Sequence, residues 1–330
     1  MSVRVITTGG TIAQLLGGEQ VRHVSGGELM SAIRAGAAPG GHLGAEVEVE
    51  DLLDLPSTYI GVEEMLEIAE HVAAAAADPA VQGVVVTHGT ATLEETIYFV
   101  EIAAGALKPV VFTGAQRFPQ SLGYDGHRNL EHAITVASSP VARDLGTVLV
   151  MDGEIHAARD VAEIHPSATG GFQSLAYGPV GRVEGGQVIL GRKPVRDSPV
   201  TVRRPLARVD LLSTYAGMPA DVVLAIGELG ASGLVIAGMT TGAIPLGIVP
   251  AVRELVERGV VVVVGTRCPA GGVVRRSDLY GGVAGYGPDL DSLGVVLTDL
   301  SCVKARCRLT ALLSSDLAVD TVRDHMRSPA

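Results

Sequence analysis

Five consecutive valines, Val260–Val264, lie between Gly259 and Gly265 and constrain this chain more than any other stretch. A run that is apolar at every position has no solvent face, and β-branched residues favour extended backbone. It therefore reads as a strand buried on both sides, the kind found in parallel sheets covered by helices. Val3–Thr7 and Val81–Val86 are also rich in β-branched residues and read as buried strands. Val62–Ala77 and Leu93–Ala104 carry helical period, and Glu46–Leu53, Lys108–Phe112 and Gly146–Met151 read as further strands. The alternation predicts an α/β fold with a larger N-terminal doubly wound, mostly parallel sheet.

From Gly185 to Arg208 the period dissolves into GGQVILGRKPVRDSPVTVRRPLAR, which reads as a hairpin plus linker. Strand–helix alternation then resumes at Val209 and ends in two helical stretches, Ser301–Leu313 and Leu317–Met326. At 330 residues, two domains are the natural expectation. The reading is an N-terminal catalytic domain over 1–185, a linker over 186–208 and a smaller C-terminal α/β domain over 209–330.

Aromatic residues make up 3% of the chain and there is no Trp, which disfavours stacking platforms for bases. The formal net charge is -11 and no long basic run exists, so nucleic acid and anionic membranes are not expected partners. No apolar run reaches spanning length. The start, MSVRVITTGG, enters a strand without an apolar leader, and Cys268, Cys302 and Cys307 suit free thiols. Together these point to the cytoplasm. No cofactor is called for. His127 and His132 do not form a metal-binding pattern, so no metal site is expected.

In open parallel sheets, ligands sit beyond the carboxyl ends of the strands. Two Thr-bearing turns fall there, Thr7-Thr8-Gly9-Gly10-Thr11-Ile12-Ala13 and His88-Gly89-Thr90-Ala91-Thr92. A hydroxyl after glycines at such a turn has free approach and backbone N–H groups nearby, as a nucleophile with an oxyanion hole requires. On spacing alone, the reading that each Thr caps its helix comes first.

The two turns together resemble the signature motifs of bacterial-type L-asparaginases, whose usual forms are TGGTIA and HGTDT-EET. The likeness continues through KPVVFTGAQRFPQSLGYDGHRNL, ARDVAEIHPSATGGFQSLAYGPVGRV, GMTTGAIP and GVVVVVGTRCPAGG. This resemblance implies hydrolysis of a side-chain amide through an acyl-enzyme. Thr11 matches the nucleophile and Thr90 the second catalytic Thr. Ser57 matches the residue that holds the substrate α-carboxylate, with Thr58 where a Gln is common. N–H groups near Gly10 and Gly89–Thr90 would bind the oxyanion. A homodimer or homotetramer is also implied, with each site completed by a neighbour's smaller domain.

The resemblance has gaps. Ala91 stands where the family has an Asp for the substrate α-ammonium, and Glu163 stands where it has a Lys serving the second Thr. Lys108, Lys193 and Lys304 do not replace that Lys. The N-terminal loop LLGGEQVRHV holds no Tyr, and Ala243 takes the place of an Asn lent by the neighbour. The expectation is an amidohydrolase acting on a small-molecule amide other than free L-asparagine, with a masked or absent α-amino group. Ordinary asparaginase activity would be weak or absent. Two alternatives are a biosynthetic lyase, cyclase or transferase with Glu163 as base, and a non-catalytic ligand-binding homologue.

Other residues read more plainly. His88 reads as a packed strand-end histidine. His156 and His165 flank Glu163 and read as surface-loop residues, with a replacement base as the other reading. Arg117 and Asp125 read as ordering the loop after the third strand. Glu94 and Glu95 fall in the first turn of a helix, where its dipole favours acids. GELGASG precedes a strand and is not a dinucleotide loop.

Overall fold

The computed structural model describes residues 1–17, 20–36, 45–273 and 290–327. The chain divides into two compact units, Met1–Pro199 and Val200–Ala330.

In the first unit, chain order gives β1 (Ser2–Thr7), β2 (Gln14–Gly17), β3 (Gln20–His23), α1 (Gly26–Gly36), β4 (Glu46–Asp51), α2 (Val62–Ala77), β5 (Val81–Thr87), α3 (Leu93–Ala104), β6 (Val110–Thr113) and α4 (Gly126–Ser138). Then follow β7 (Thr147–Met151), β8 (Glu154–Ala157), β9 (Ala162–Glu163), β10 (Phe172–Gln173), β11 (Gly181–Glu184) and β12 (Gln187–Leu190). Eight of these strands form one sheet in the order β12-β11-β8-β7-β6-β5-β1-β4. β4, β1, β5, β6 and β7 run parallel, while β8, β11 and β12 add antiparallel pairings at one side.

The apolar runs are buried on both faces, as their composition requires. Val3, Val5, Val85, Val111 and Val148 pack with Leu29, Met30 and Ile33 of α1 and Leu130 and Ile134 of α4. The alternate residues Val84, Val86, Val110, Phe112 and Leu149 are equally buried and point the other way. On that side α2 and α3 pack against each other and the sheet. Two expectations change in detail. The segment read as an N-terminal loop contains the β2–β3 hairpin, with Gly18 and Glu19 outside the described residues. β12, inside the stretch 186–208, pairs with β11 as an edge of the large sheet.

The second unit holds β13 (Val209–Ser213), α5 (Ala220–Glu228), β14 (Gly233–Gly238), α6 (Val249–Glu257), β15 (Val261–Thr266), β16 (Val296–Leu297), α7 (Cys302–Leu313) and α8 (Val319–Met326). Its strands are parallel in the order β13-β14-β15-β16. The five valines are all buried, and Val262 and Val264 share a cluster with Val223 of α5 and Val252 and Leu255 of α6.

Candidate active site

β1 and β5 are adjacent and parallel, with Thr7 opposite Thr87, so the turns that follow them leave the same sheet edge side by side. Gly9 and Gly10 take φ values of +92° and +83°, which L side chains rarely adopt. A Cβ on Gly10 would lie 2.4 Å from the Gly89 Cα, and one on Gly9 would lie 2.6 Å from the Leu55 carbonyl oxygen. The two turns therefore meet backbone to backbone.

Thr11 and Thr90 each open a short 3₁₀ turn, Thr11–Ala13 and Thr90–Thr92, whose capping residues are Gly10 and Gly89. Neither threonine is a cap, which corrects the reading favoured by spacing alone. Their neighbours are committed. The hydroxyl of Thr7 donates to Asp51 Oδ1 at 2.7 Å, that of Thr8 to the Thr87 carbonyl at 2.8 Å, and that of Thr92 to the Ser57 carbonyl at 2.8 Å. The half-buried Thr11 and Thr90 hydroxyls make no hydrogen bond among the described residues. As the first residues of helical turns, they also have N–H groups without an intrahelical acceptor.

Ser57 is buried in the 3₁₀ turn Ser57–Tyr59 and lies against Gly89, whose missing Cβ would fall 2.5 Å from the Ser57 Oγ. Gly10, Thr11, Ser57, Gly89 and Thr90 thus belong to one locus. Thr58 and Ala91 are exposed. Glu163 sits on β9, half-buried, and is held from two sides. Gln116 Nε2 donates to its Oε1 at 2.9 Å, and its own N–H donates to Glu94 Oε2 at 3.3 Å. The second bond ties β9 to the first turn of α3, four residues beyond Thr90. No hydrogen bond joins Glu163 to Thr11 or Thr90 among the described residues.

Gln116 belongs to a loop ordered by Asp125, which accepts the N–H groups of Gln116 and Arg117, each at 3.0 Å. Asn129 Nδ2 donates to Asp125 and to the Gly114 carbonyl, both at 3.0 Å. The Tyr124 hydroxyl donates to the Ile12 carbonyl at 2.8 Å, beside Thr11. Burial, with the Asp125 charge behind it, raises the phenol well above its ordinary range and keeps it a donor. Sequence reasoning assigned no site role to Gln116 or Tyr124. Both act across distant parts of the chain, where spacing carries no signal.

His88 is fully buried, with Nδ1 2.7 Å from the Gly89 carbonyl oxygen and its ring tilted toward Phe112. Burial pushes its imidazole down to about 4, so the ring is neutral near pH 7. His156 departs from expectation. It is buried, because β8 lies inside the sheet, and its ring meets Ser174 Oγ at 3.1 Å and Glu154 Oε2 at 3.2 Å. His165 is exposed and its Nδ1 accepts the N–H groups of Ser167 and Ala168. The described residues contain no cluster of three or more His, Cys, Asp and Glu able to hold a metal ion. No helix among them is long and apolar enough to cross a membrane.

Residues 2–196 match the family described as Asparaginase, N-terminal, and residues 208–326 match the Glutaminase/Asparaginase C-terminal domain. The chain is 33% identical over 322 residues to L-asparaginase of Bacillus licheniformis, covering 95% of each protein. It is 34% identical over 327 residues to the probable L-asparaginase of Deinococcus radiodurans, covering 97% of this chain and 95% of the relative. The crystal structure of a probable cytoplasmic L-asparaginase from Campylobacter jejuni superposes with a TM-score of 0.84 at 28% identity, over 98% of both chains. Adjacent strands bring two Gly-Thr turns into backbone contact, and both halves of the chain match the same group of amidohydrolases; the chain belongs to the asparaginase family.

Proposed function

We propose that this chain hydrolyses an amide other than free L-asparagine, one whose α-amino group is masked or absent, with Thr11 as nucleophile. The observation that carries the catalytic part is the pair of half-buried, uncommitted hydroxyls on touching turns, while the hydroxyls of Thr7, Thr8 and Thr92 beside them are bonded. Thr11 Oγ1 attacks the amide carbonyl, and its proton passes by way of Thr90 to the departing nitrogen. N–H groups near Gly10 and Gly89–Thr90 stabilise the oxyanion while the C–N bond breaks. Water then attacks the Thr11 ester, releases the acid and restores the hydroxyl. Ser57, with Thr58 at the rim, holds the carboxylate end of the substrate. Gln116 and Glu94 hold Glu163, which orients water or meets a cationic part of the substrate.

The substrate part rests on Ala91. A charged hydrogen bond to an α-ammonium contributes about 1.5–3 kcal/mol, and a methyl group offers none of it. Glu163, at the position given to a Lys in the resembled motif, would not favour an alkoxide beside it. The working form is a cytoplasmic dimer or tetramer in which a neighbour completes each site.

Ammonia or amine release across a panel of free and N-acylated asparagine and glutamine amides tests this reading. Turnover is expected on acylated amides and little or none on free asparagine. Ordinary rates on free asparagine would sink the substrate assignment, and no release from any amide would favour the lyase or binding alternatives. Calorimetry adds a second check. Ala91→Asp combined with Glu163→Lys should begin to bind free asparagine, whereas a folded double variant that binds none counts against the reading.

A further inference from the structure

The mechanism above leaves His88 unused. It is fully buried, its Nδ1 lies 2.7 Å from the carbonyl oxygen of Gly89, and its Nε2 has no partner among the described residues. A carbonyl oxygen brings no proton, so Nδ1 must carry the hydrogen and Nε2 the bare lone pair. An unpaired buried acceptor is a standing cost that Leu or Phe at this place would avoid. Packing against Phe112 therefore does not account for a histidine here.

The bond does account for it. C=O and N–H point in opposite directions across a trans peptide, so fixing the Gly89 oxygen fixes the Thr90 N–H away from the ring. Gly89 is the point where the two turns and Ser57 converge. Gly10 packs on its Cα and the Ser57 Oγ on the side where a Cβ would be. With no side chain of its own, Gly89 leaves its peptide free to rotate unless something grips it. We propose that His88 is a positioning residue whose Nδ1–H holds the Gly89–Thr90 peptide with its N–H turned toward the oxyanion formed on the substrate.

This rests on the acyl-transfer reading, so the test separates the two. Asn places an amide nitrogen where His has Nδ1, Gln places it where His has Nε2, and Leu places none. With N-acetyl-L-asparagine as probe and ammonia release as readout, His88→Leu and His88→Gln should lower kcat roughly tenfold to a hundredfold with KM within about twofold. His88→Asn should stay within about threefold of wild type. A folded Asn variant as slow as the Leu variant overturns the proposal, and so does a Leu variant as fast as wild type. If the wild-type protein leaves N-acetyl-L-asparagine untouched, the substrate reading fails while the second arm still judges His88. In ¹⁵N-histidine-labelled protein, with His88 assigned by its loss in the Asn variant, Nδ1 should be protonated and Nε2 bare from about pH 5 to 8. An Nε2–H tautomer would refute the bond.

Discussion

Thr11→Val keeps the β-branched shape and deletes only a hydroxyl that has no hydrogen-bond partner among the described residues. Turnover should fall by at least about 10³-fold, as for loss of other catalytic nucleophiles, while unfolding free energy shifts by less than about 0.5 kcal/mol. Thr8→Val makes the opposite case. It removes a buried donor to the Thr87 carbonyl and should cost about 1 kcal/mol in a urea titration. Two threonines three positions apart would then separate into one that acts and one that holds. Equal stability losses in the two variants would mean that the Thr11 hydroxyl has a structural partner after all.

Among the elements, the loop between β6 and α4 has the most at stake on a single side chain. Asp125 gathers two backbone N–H groups and the Asn129 amide, and through Gln116 this loop reaches Glu163. Asp125→Ala leaves those donors unmatched and should cost about 2–4 kcal/mol by chemical denaturation. The loss of Glu163 orientation should appear as altered selectivity across the amide panel. Asp125 was legible in the sequence as a loop-ordering residue, and α2 and α3 were legible at both ends, because long periodic segments report their own burial. The β2–β3 hairpin and the two-residue strands β9 and β10 were not, since segments so short carry no usable period. The glycine–threonine turns stood out by composition. The grip of Gln116 on Glu163 did not, nor that of Tyr124 on Ile12, because partners 47 and 112 positions apart leave no local trace. Reading the turns as helix starts also suggested caps, and only the observed capping by Gly10 and Gly89 removed that alternative.

For the whole molecule, the buried His88 sets the direction of acid sensitivity. His88 sits near 4 when folded against an ordinary value of 6.5, and partial burial also lowers the half-buried His132. Between those values the unfolded chain binds a proton that the native state refuses, so stability is retained above pH 6.5 and falls as pH drops toward 4. His88 alone accounts for roughly 3 kcal/mol of that loss by pH 4. Urea midpoints measured between pH 7 and pH 4.5 should therefore fall less steeply for His88→Asn than for the wild type. Parallel slopes would show that His88 titrates normally in the fold.

Because the two Gly-Thr turns ride on neighbouring strands, their separation is inherited from the interstrand repeat of about 4.8 Å, from two glycines in contact and from the bond of the Thr8 hydroxyl to the Thr87 carbonyl. Ala91 lies exposed on one of those turns and Thr58 on the turn Ser57–Tyr59, neither defining that spacing. On the proposed function, chemistry and selectivity would thus be carried by different parts of the polypeptide, one by the sheet and the other by its rim. A lineage could exchange the rim one residue at a time, passing from one amide to another, while the reaction itself never lapsed.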